Sequence, residues 1–297
     1  MYKLIDFLNK KQIEYKTSVS LKEISTFKIG GDAKILCYPD SVSKVSDIVK
    51  FCTANDILYL TFGKCSNVVF SDDGVDKLII KTDKLDEMSK DGDYFTFGAG
   101  VMLAKASKFT IDNCYEGMEF SYGIPGSVGG AVYMNAGAYG GQMSDLVVKT
   151  EYVDCNGNIK LLEQDKHDFG YRHSFFSDKN CIITKTTVCL KIGDKEKSEA
   201  VVRELQAARK TKQPLELPSA GSVFKRPEGY FAGKLIQDCD LKGYRVGDAK
   251  VSEKHSGFIV NVGNASCNDV ESLVSHIQKC VYDKFGVELE CELKFIK

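Results

Sequence analysis

GIPGSVGGAVYMNAGAYGG, from Gly123 to Gly141, decides the reading of this chain, because it sets seven glycines in one stretch without a charged side chain. Glycine lets a backbone approach a ligand closely and adopt positive φ, and it gives up more freedom on folding than other residues. An ordinary connection gains nothing from so much of it. A bound cofactor is the simplest use, and a run of tight turns is the alternative that the stretch alone leaves open. Upstream, Gly63-Lys64-Cys65-Ser66-Asn67 lies between two apolar runs. A turn there can aim backbone N–H groups and a Ser hydroxyl at a pyrophosphate, although a plain strand-to-strand loop uses the same residues. No G-x-G-x-x-G follows a strand to open a helix, so the doubly wound dinucleotide fold is not indicated and a cofactor would lie between domains.

Outward from these loops the pattern is mixed. Apolar spacing predicts helices near 2–13, from Val42 to Cys52, at 102–115, from Ser198 to Lys210, near Gly233–Asp238 and from Asn268 to Phe285. Strands are expected at Ile35–Tyr38, Ile57–Phe62, Leu78–Lys81, Tyr94–Phe97, Leu146–Cys155, Cys181–Ile192, Phe258–Val262 and Val287–Phe295. Asn156-Gly157 between alternating runs predicts a two-residue hairpin turn. QPLELPSAG, from Gln213, reads as a linker or an active-site loop. A chain of 297 residues is expected to divide into two or three domains.

Apolar residues make up 43% and charged residues 27%, the balance of a chain that folds throughout. Lys+Arg 40 against Asp+Glu 41 leaves no basic field for nucleic acid. The first residues lack a signal core and no stretch approaches a membrane span, so a cytoplasmic protein is expected. Eleven scattered cysteines with no CxxC pair and four histidines predict no metal site; most are expected to be small buried hydrophobes in a reducing compartment.

Three polar positions stand out. Arg172 sits in the aromatic setting YRHSFF, Ser222 follows Gly221 in AGSVFK, and Glu292 alternates with apolar residues on the last expected strand. Read singly, they are a surface arginine, a turn serine and a solvated strand face.

Their order changes that. STFKIGG from Ser25, GKCSN, GIPGSVGGAVYMNAGAYGG, YRHSFF, SAGSVFKRP and VSEKHSGFIVN from Val251 together resemble the UDP-N-acetylenolpyruvoylglucosamine reductase family, over nearly the whole chain from about residue 20. The resemblance implies an α+β fold of three domains. Two of them, 1–82 and 83–205, would form a vanillyl-alcohol-oxidase-type (PCMH-type) FAD-binding unit, and 206–297 an α/β substrate domain. It implies tightly bound, non-covalent FAD, NADPH as co-substrate, and a UDP-sugar enolpyruvyl ether as substrate, in peptidoglycan precursor synthesis. Ser222 would donate a proton, while Arg172 and Glu292 would stabilise the enol form; Glu290 shares the face of Glu292. The cofactor would lie against Gly63, Lys64, Cys65, Ser66 and Asn67, against Gly123, Ile124, Pro125, Gly126 and Ser127, and against Gly129, Gly130, Ala131, Asn135 and Gly137. Lys212, Lys225, Arg226, Lys254 and His255 would face the uridine diphosphate. A monomer is expected.

The chain departs from the family at three places. Cys65 replaces a common glycine, Arg226 replaces an asparagine, and the short interval from Arg172 to Ser222 lacks a tyrosine-bearing insertion found in one branch. Two rivals differ in class: an alcohol or sugar oxidase of the same flavin fold, and a nucleotide-binding protein without catalysis. The first does not explain YRHSFF, GSVFK and Glu292 together, and the second does not explain why all three candidate catalytic residues are kept.

Overall fold

Ser41 accepts a hydrogen bond from the Lys44 backbone at 3.4 Å and so caps the helix Val42–Ala54, whose Val45, Ile48, Val49 and Cys52 are buried along one stripe. The same logic builds the long helix Cys267–Phe285. Ser266 and Asp269 close a reciprocal capping box, Gly286 ends it at φ 66, and Val270, Leu273, Val274, Ile277 and Val281 form its buried stripe. The computed structural model describes residues 1–297. No helix is long and apolar enough to cross a membrane.

The chain forms two compact units. The first contains Met1–Thr17, Ile35–Lys64 and Lys77–Ala207. Leu78–Lys81 pairs in parallel with both Asp32–Tyr38 and Tyr59–Phe62. A five-stranded antiparallel sheet follows, in the order Ile159–Glu163, Val147–Val153, Ile182–Cys189, Tyr94–Gly98 and Met88–Asp91. Ile182–Cys189 is central, and six of its eight residues are buried. Beneath the sheet Phe95 meets Phe109 and Tyr115 edge-on at 6.0 and 5.0 Å.

The second unit contains Ser18–Lys34, Cys65–Asp76 and Ala208–Lys297. Ser219–Ser222, Phe258–Asn261, Ala249–Val251 and Arg245–Val246 form its antiparallel sheet. Val68–Phe70 pairs in parallel with Lys294–Ile296, and Phe27, Ile29 and Val69 are fully buried in the same core as the Cys267–Phe285 helix. Segments 18–34 and 65–76, expected within the first domain, therefore belong with the C-terminal residues. The remainder of 1–82 joins all of 83–205 in one unit.

Three local expectations are corrected. Only Lys294–Ile296 pairs as a strand within 287–295, although Leu289 and Leu293 are buried in alternation; upstream there is one bridge, Phe224 with Cys291. The hairpin after Val153 turns over Asp154–Asn158 rather than two residues. Asp154 Oδ1 accepts the backbones of Asn156 and Asn158 at 2.9 and 2.8 Å, which replaces the tight turn by a side-chain-organised loop. Four of the eleven cysteines are buried, Cys37, Cys52, Cys65 and Cys267, while Cys114 and Cys155 lie exposed on loops.

Candidate active site

In the first unit the two expected cofactor loops meet. A Cβ on Gly63 would lie 2.2 Å from the Ser127 hydroxyl, so only glycine gives this approach. Ser127 is buried and caps the short helix Val128–Tyr133 through Gly130 N at 3.4 Å. A Cβ on Gly129 would stand 2.7 Å from that of Ala99, whose carbonyl accepts Gly129 N at 2.9 Å. The glycines thus seat the segment against its own unit as well as opening its backbone.

A charged cluster holds the first loop. Lys81 is almost fully buried, donates to the Gly63 carbonyl and lies 3.1 Å from Asp83, which also pairs with Lys64 at 2.5 Å. Burial pushes the Asp83 carboxyl up, but Lys81 and Lys64 outweigh it and hold the group below its ordinary range. The one local sign of this cluster is a lysine ending the apolar run Leu78–Lys81.

Arg172 occupies a turn in which Gly170 and His173 exchange backbone hydrogen bonds at 3.1 and 3.3 Å. Its φ is 56 and its guanidinium lies 5.0 Å from the centre of the Tyr171 ring. Asn135 Nδ2 donates to the Gly170 carbonyl at 3.0 Å, and its Oδ1 accepts Ser144 N at 2.9 Å. Ser174 Oγ donates to the Tyr133 carbonyl at 2.8 Å. His167 was not singled out in the sequence. It is fully buried, its Nδ1 faces the Glu163 and Gln164 carbonyls, and its Nε2 lies 2.8 Å from Thr150 Oγ1. Burial holds its pKa below the usual histidine range. Since Nδ1 faces acceptors only, it carries the proton and Nε2 accepts from Thr150.

In the second unit Ser222 stands exposed after Gly221, whose φ of 80 accompanies a register shift against Phe258–Asn261. The adjoining Val223 carbonyl accepts Glu292 N at 2.8 Å, which brings Ser222 and Glu292 to neighbouring backbone positions. Asn67 Nδ2 donates to the Glu292 carbonyl at 3.2 Å. The two glutamates are told apart: Glu290, 70% exposed, pairs with Lys225 Nζ at 2.5 Å, whereas Glu292 is half-buried. Cys65 adopts φ 51, the left-handed region a glycine would enter freely, and is buried. Thr26 Oγ1 donates to the Ser219 carbonyl at 2.8 Å while Thr26 N donates to that of Cys65 at 3.4 Å, so STFKIGG ties this loop to the Ser222 strand.

The expected phosphate-facing residues are less uniform. Arg226 stacks on Phe231 at 3.9 Å with Nε toward the Tyr230 carbonyl, and Lys254 faces Glu216 at 3.5 Å. Lys212 ends the helix Lys195–Lys212, exposed. Half-buried His255 accepts Gly257 N at Nδ1 at 3.1 Å, and burial lowers its pKa, so it organises the 252–258 turn with one ring nitrogen already used. No group of three metal-ligating side chains occurs. An open cavity of about 910 Å³ on the five-stranded sheet, lined by Ser89, Asp91, Tyr94, Thr96, Lys149 and Glu163 among others, contains none of these residues.

The close-packed glycine segment of the first unit fits an enzyme that holds a cofactor, and the second unit sets a serine and a carboxylate at neighbouring positions. Comparison with known proteins gives the particular kind. Residues 33–163 match the FAD binding domain model, and 213–296 match UDP-N-acetylenolpyruvoylglucosamine reductase, C-terminal domain. A reductase of that name from Clostridium perfringens is 42% identical over 296 residues, 99% of this chain and 97% of its own. One from Caldicellulosiruptor saccharolyticus is 44% identical over 291 residues, 97% and 94% of the two chains. The crystal structure of the Thermus caldophilus reductase superposes with a TM-score of 0.81 at 32% identity, covering 96% of this chain and 99% of that one. The chain belongs to the UDP-N-acetylenolpyruvoylglucosamine reductase family.

Proposed function

We propose that this protein reduces UDP-N-acetylglucosamine enolpyruvate to UDP-N-acetylmuramate for peptidoglycan synthesis, with FAD bound and NADPH as the electron source. The observation that carries the reading is the matched family over the whole chain together with Ser222 and Glu292 on adjacent backbone positions. The residues present fit FAD. Gly63 and Ser127 form a close-packed corner braced by Lys81 and Asp83, and the Gly123–Gly141 segment offers small residues and uncharged donors beside it. Gly63, Lys64, Cys65, Ser66 and Asn67 would hold the pyrophosphate end, and Gly123–Ser127 with Gly129, Gly130, Ala131 and Gly137 the remainder. Bound FAD supplies hydride transfer, from NADPH and then to the methylene carbon of the enolpyruvyl ether.

The side chains have separate tasks. Hydride arrival at the methylene carbon moves charge into the substrate carboxylate. Arg172 meets that charge, and Glu292 in its protonated form donates a hydrogen bond to it. Ser222 Oγ then gives a proton to the adjacent carbon; its exposure on the strand end leaves it open to substrate and to proton resupply. Lys225 and Arg226, with Lys212, Lys254 and His255, supply donors for the uridine diphosphate. The reading places a monomeric enzyme in the cytoplasm, serving cell shape and division through the cell wall.

Anaerobic visible spectra test it. A yellow protein bleached by NADPH should regain its colour with the enolpyruvyl UDP-sugar and not with UDP-N-acetylglucosamine. Colour that fails to return would refute the assignment, and a protein that cannot be reconstituted with FAD would refute the cofactor.

A further inference from the structure

Asn135 lies within the glycine-rich segment, yet both ends of its carboxamide serve the protein. The group is 3% exposed. Ser144 N can only donate and the Gly170 carbonyl can only accept, so the amide orientation is forced: Oδ1 toward Ser144 at 2.9 Å, Nδ2 toward Gly170 at 3.0 Å. Gly170 is the base of the four-residue turn that carries Arg172, and Arg172 sits at φ 56. A non-glycine residue in that region is strained and persists where its surroundings over-determine it. Asn135 is itself at φ 42, and its hydrogen bond ends on Gly170, two residues before the left-handed Arg172.

We infer that Asn135 is a positioning residue for Arg172: through the Gly170 carbonyl it fixes the turn that aims the guanidinium at the substrate carboxylate. The inference rests on the reductase reading and on the role of Arg172 in it. It separates the duties of the glycine-rich segment, whose first half seats the cofactor while Asn135 serves the substrate step. Ser174, bonded to the Tyr133 carbonyl, holds the far side of the same loop to the same helix end.

The test uses Asn135→Asp in the FAD-loaded enzyme. Aspartate tolerates the left-handed backbone and still accepts from Ser144, but it sets a carboxylate against the Gly170 carbonyl. Reoxidation of NADPH-reduced enzyme by the enolpyruvyl UDP-sugar should slow by about tenfold to a hundredfold, the cost of a misplaced catalytic group. Flavin reduction by NADPH and the FAD affinity of the apoprotein should keep their wild-type values. In an Arg172→Ala background the same substitution should have no further effect, because its influence passes through Arg172. Asn135→Gly, which keeps the backbone conformation and removes both contacts, should behave alike if the aspartate variant folds poorly. An equal slowing with and without Arg172, or a loss of FAD affinity matching the slowing, would overturn the inference. Wild-type reoxidation by Arg172→Ala alone would instead remove Arg172 from the reductase mechanism, and the inference with it.

Discussion

Thr150→Val and Thr186→Val make the same chemical change at two residues paired directly across neighbouring strands, both fully buried. Each keeps the shape of the side chain and deletes a hydroxyl. The Thr150 hydroxyl lies 2.8 Å from His167 Nε2, which has no water to turn to, so its loss leaves a buried acceptor unpaired and costs about 1–3 kcal/mol. The Thr186 hydroxyl is buried without a hydrogen-bond partner. Its removal relieves a desolvated polar group and should be neutral or stabilising by up to about 1 kcal/mol. At about 2–4 °C per kcal/mol, Thr150→Val should lower the thermal midpoint by about 2–12 °C and Thr186→Val should not lower it. Thermal unfolding followed by circular dichroism at neutral pH reads both. Because the His167 carbonyl accepts Phe175 N at 2.6 Å, three residues beyond Arg172, Thr150→Val should also slow reoxidation by the enolpyruvyl UDP-sugar. Equal falls in both variants, or none in Thr150→Val, would refute this account of His167.

Acid should destabilise the fold through buried His167 and half-buried His255. Burial lowers the pKa of His167 and of His255, so the unfolded chain binds protons first; stability is fully present above the unfolded value of 6.5 and is lost as pH falls through the lower folded values. Urea midpoints from pH 8 to pH 5 should fall toward acid, and a flat profile would count against it. Asp83→Asn strands the buried Lys81 and should cost about 2–3 kcal/mol, discounted for the part of Asp83 that water reaches, with weaker FAD binding as Gly63 loosens; calorimetry and apoprotein titration read the two effects. Glu290→Gln should leave reoxidation near wild type, whereas Glu292→Gln should slow it at least about tenfold; stopped-flow traces that reverse this order would exchange the two glutamates.

Local signals were legible and distant pairings were not. The helices Val42–Ala54 and Cys267–Phe285 could be read because their stripes and caps lie within one stretch of chain. The glycine-rich segment and the Gly63 loop could be read for the same reason. Lys294–Ile296 pairs with Val68–Phe70, a partner no window of sequence contains, and with it went the membership of segments 18–34 and 65–76. His167 looked like any histidine in a polar loop, because Thr150 meets it only through a strand register. Asn135 was noticed for its neighbours in sequence, while its partners at Gly170 and Ser144 are set by turns.

The parallel pairing of Val68–Phe70 with Lys294–Ile296 has a consequence for synthesis. Val69 and Phe70 are fully buried when paired, yet their strand partner, Lys294–Ile296, is synthesised about 220 residues later. At about 5–20 residues per second the wait is on the order of ten to forty seconds. Throughout it an apolar strand edge stands unsheltered, a template for other nascent chains. Production of this protein should therefore depend on holdase chaperones more than its finished form suggests, and replacing the half-buried Phe295 of the partner strand by a charged residue should shift it into inclusion bodies.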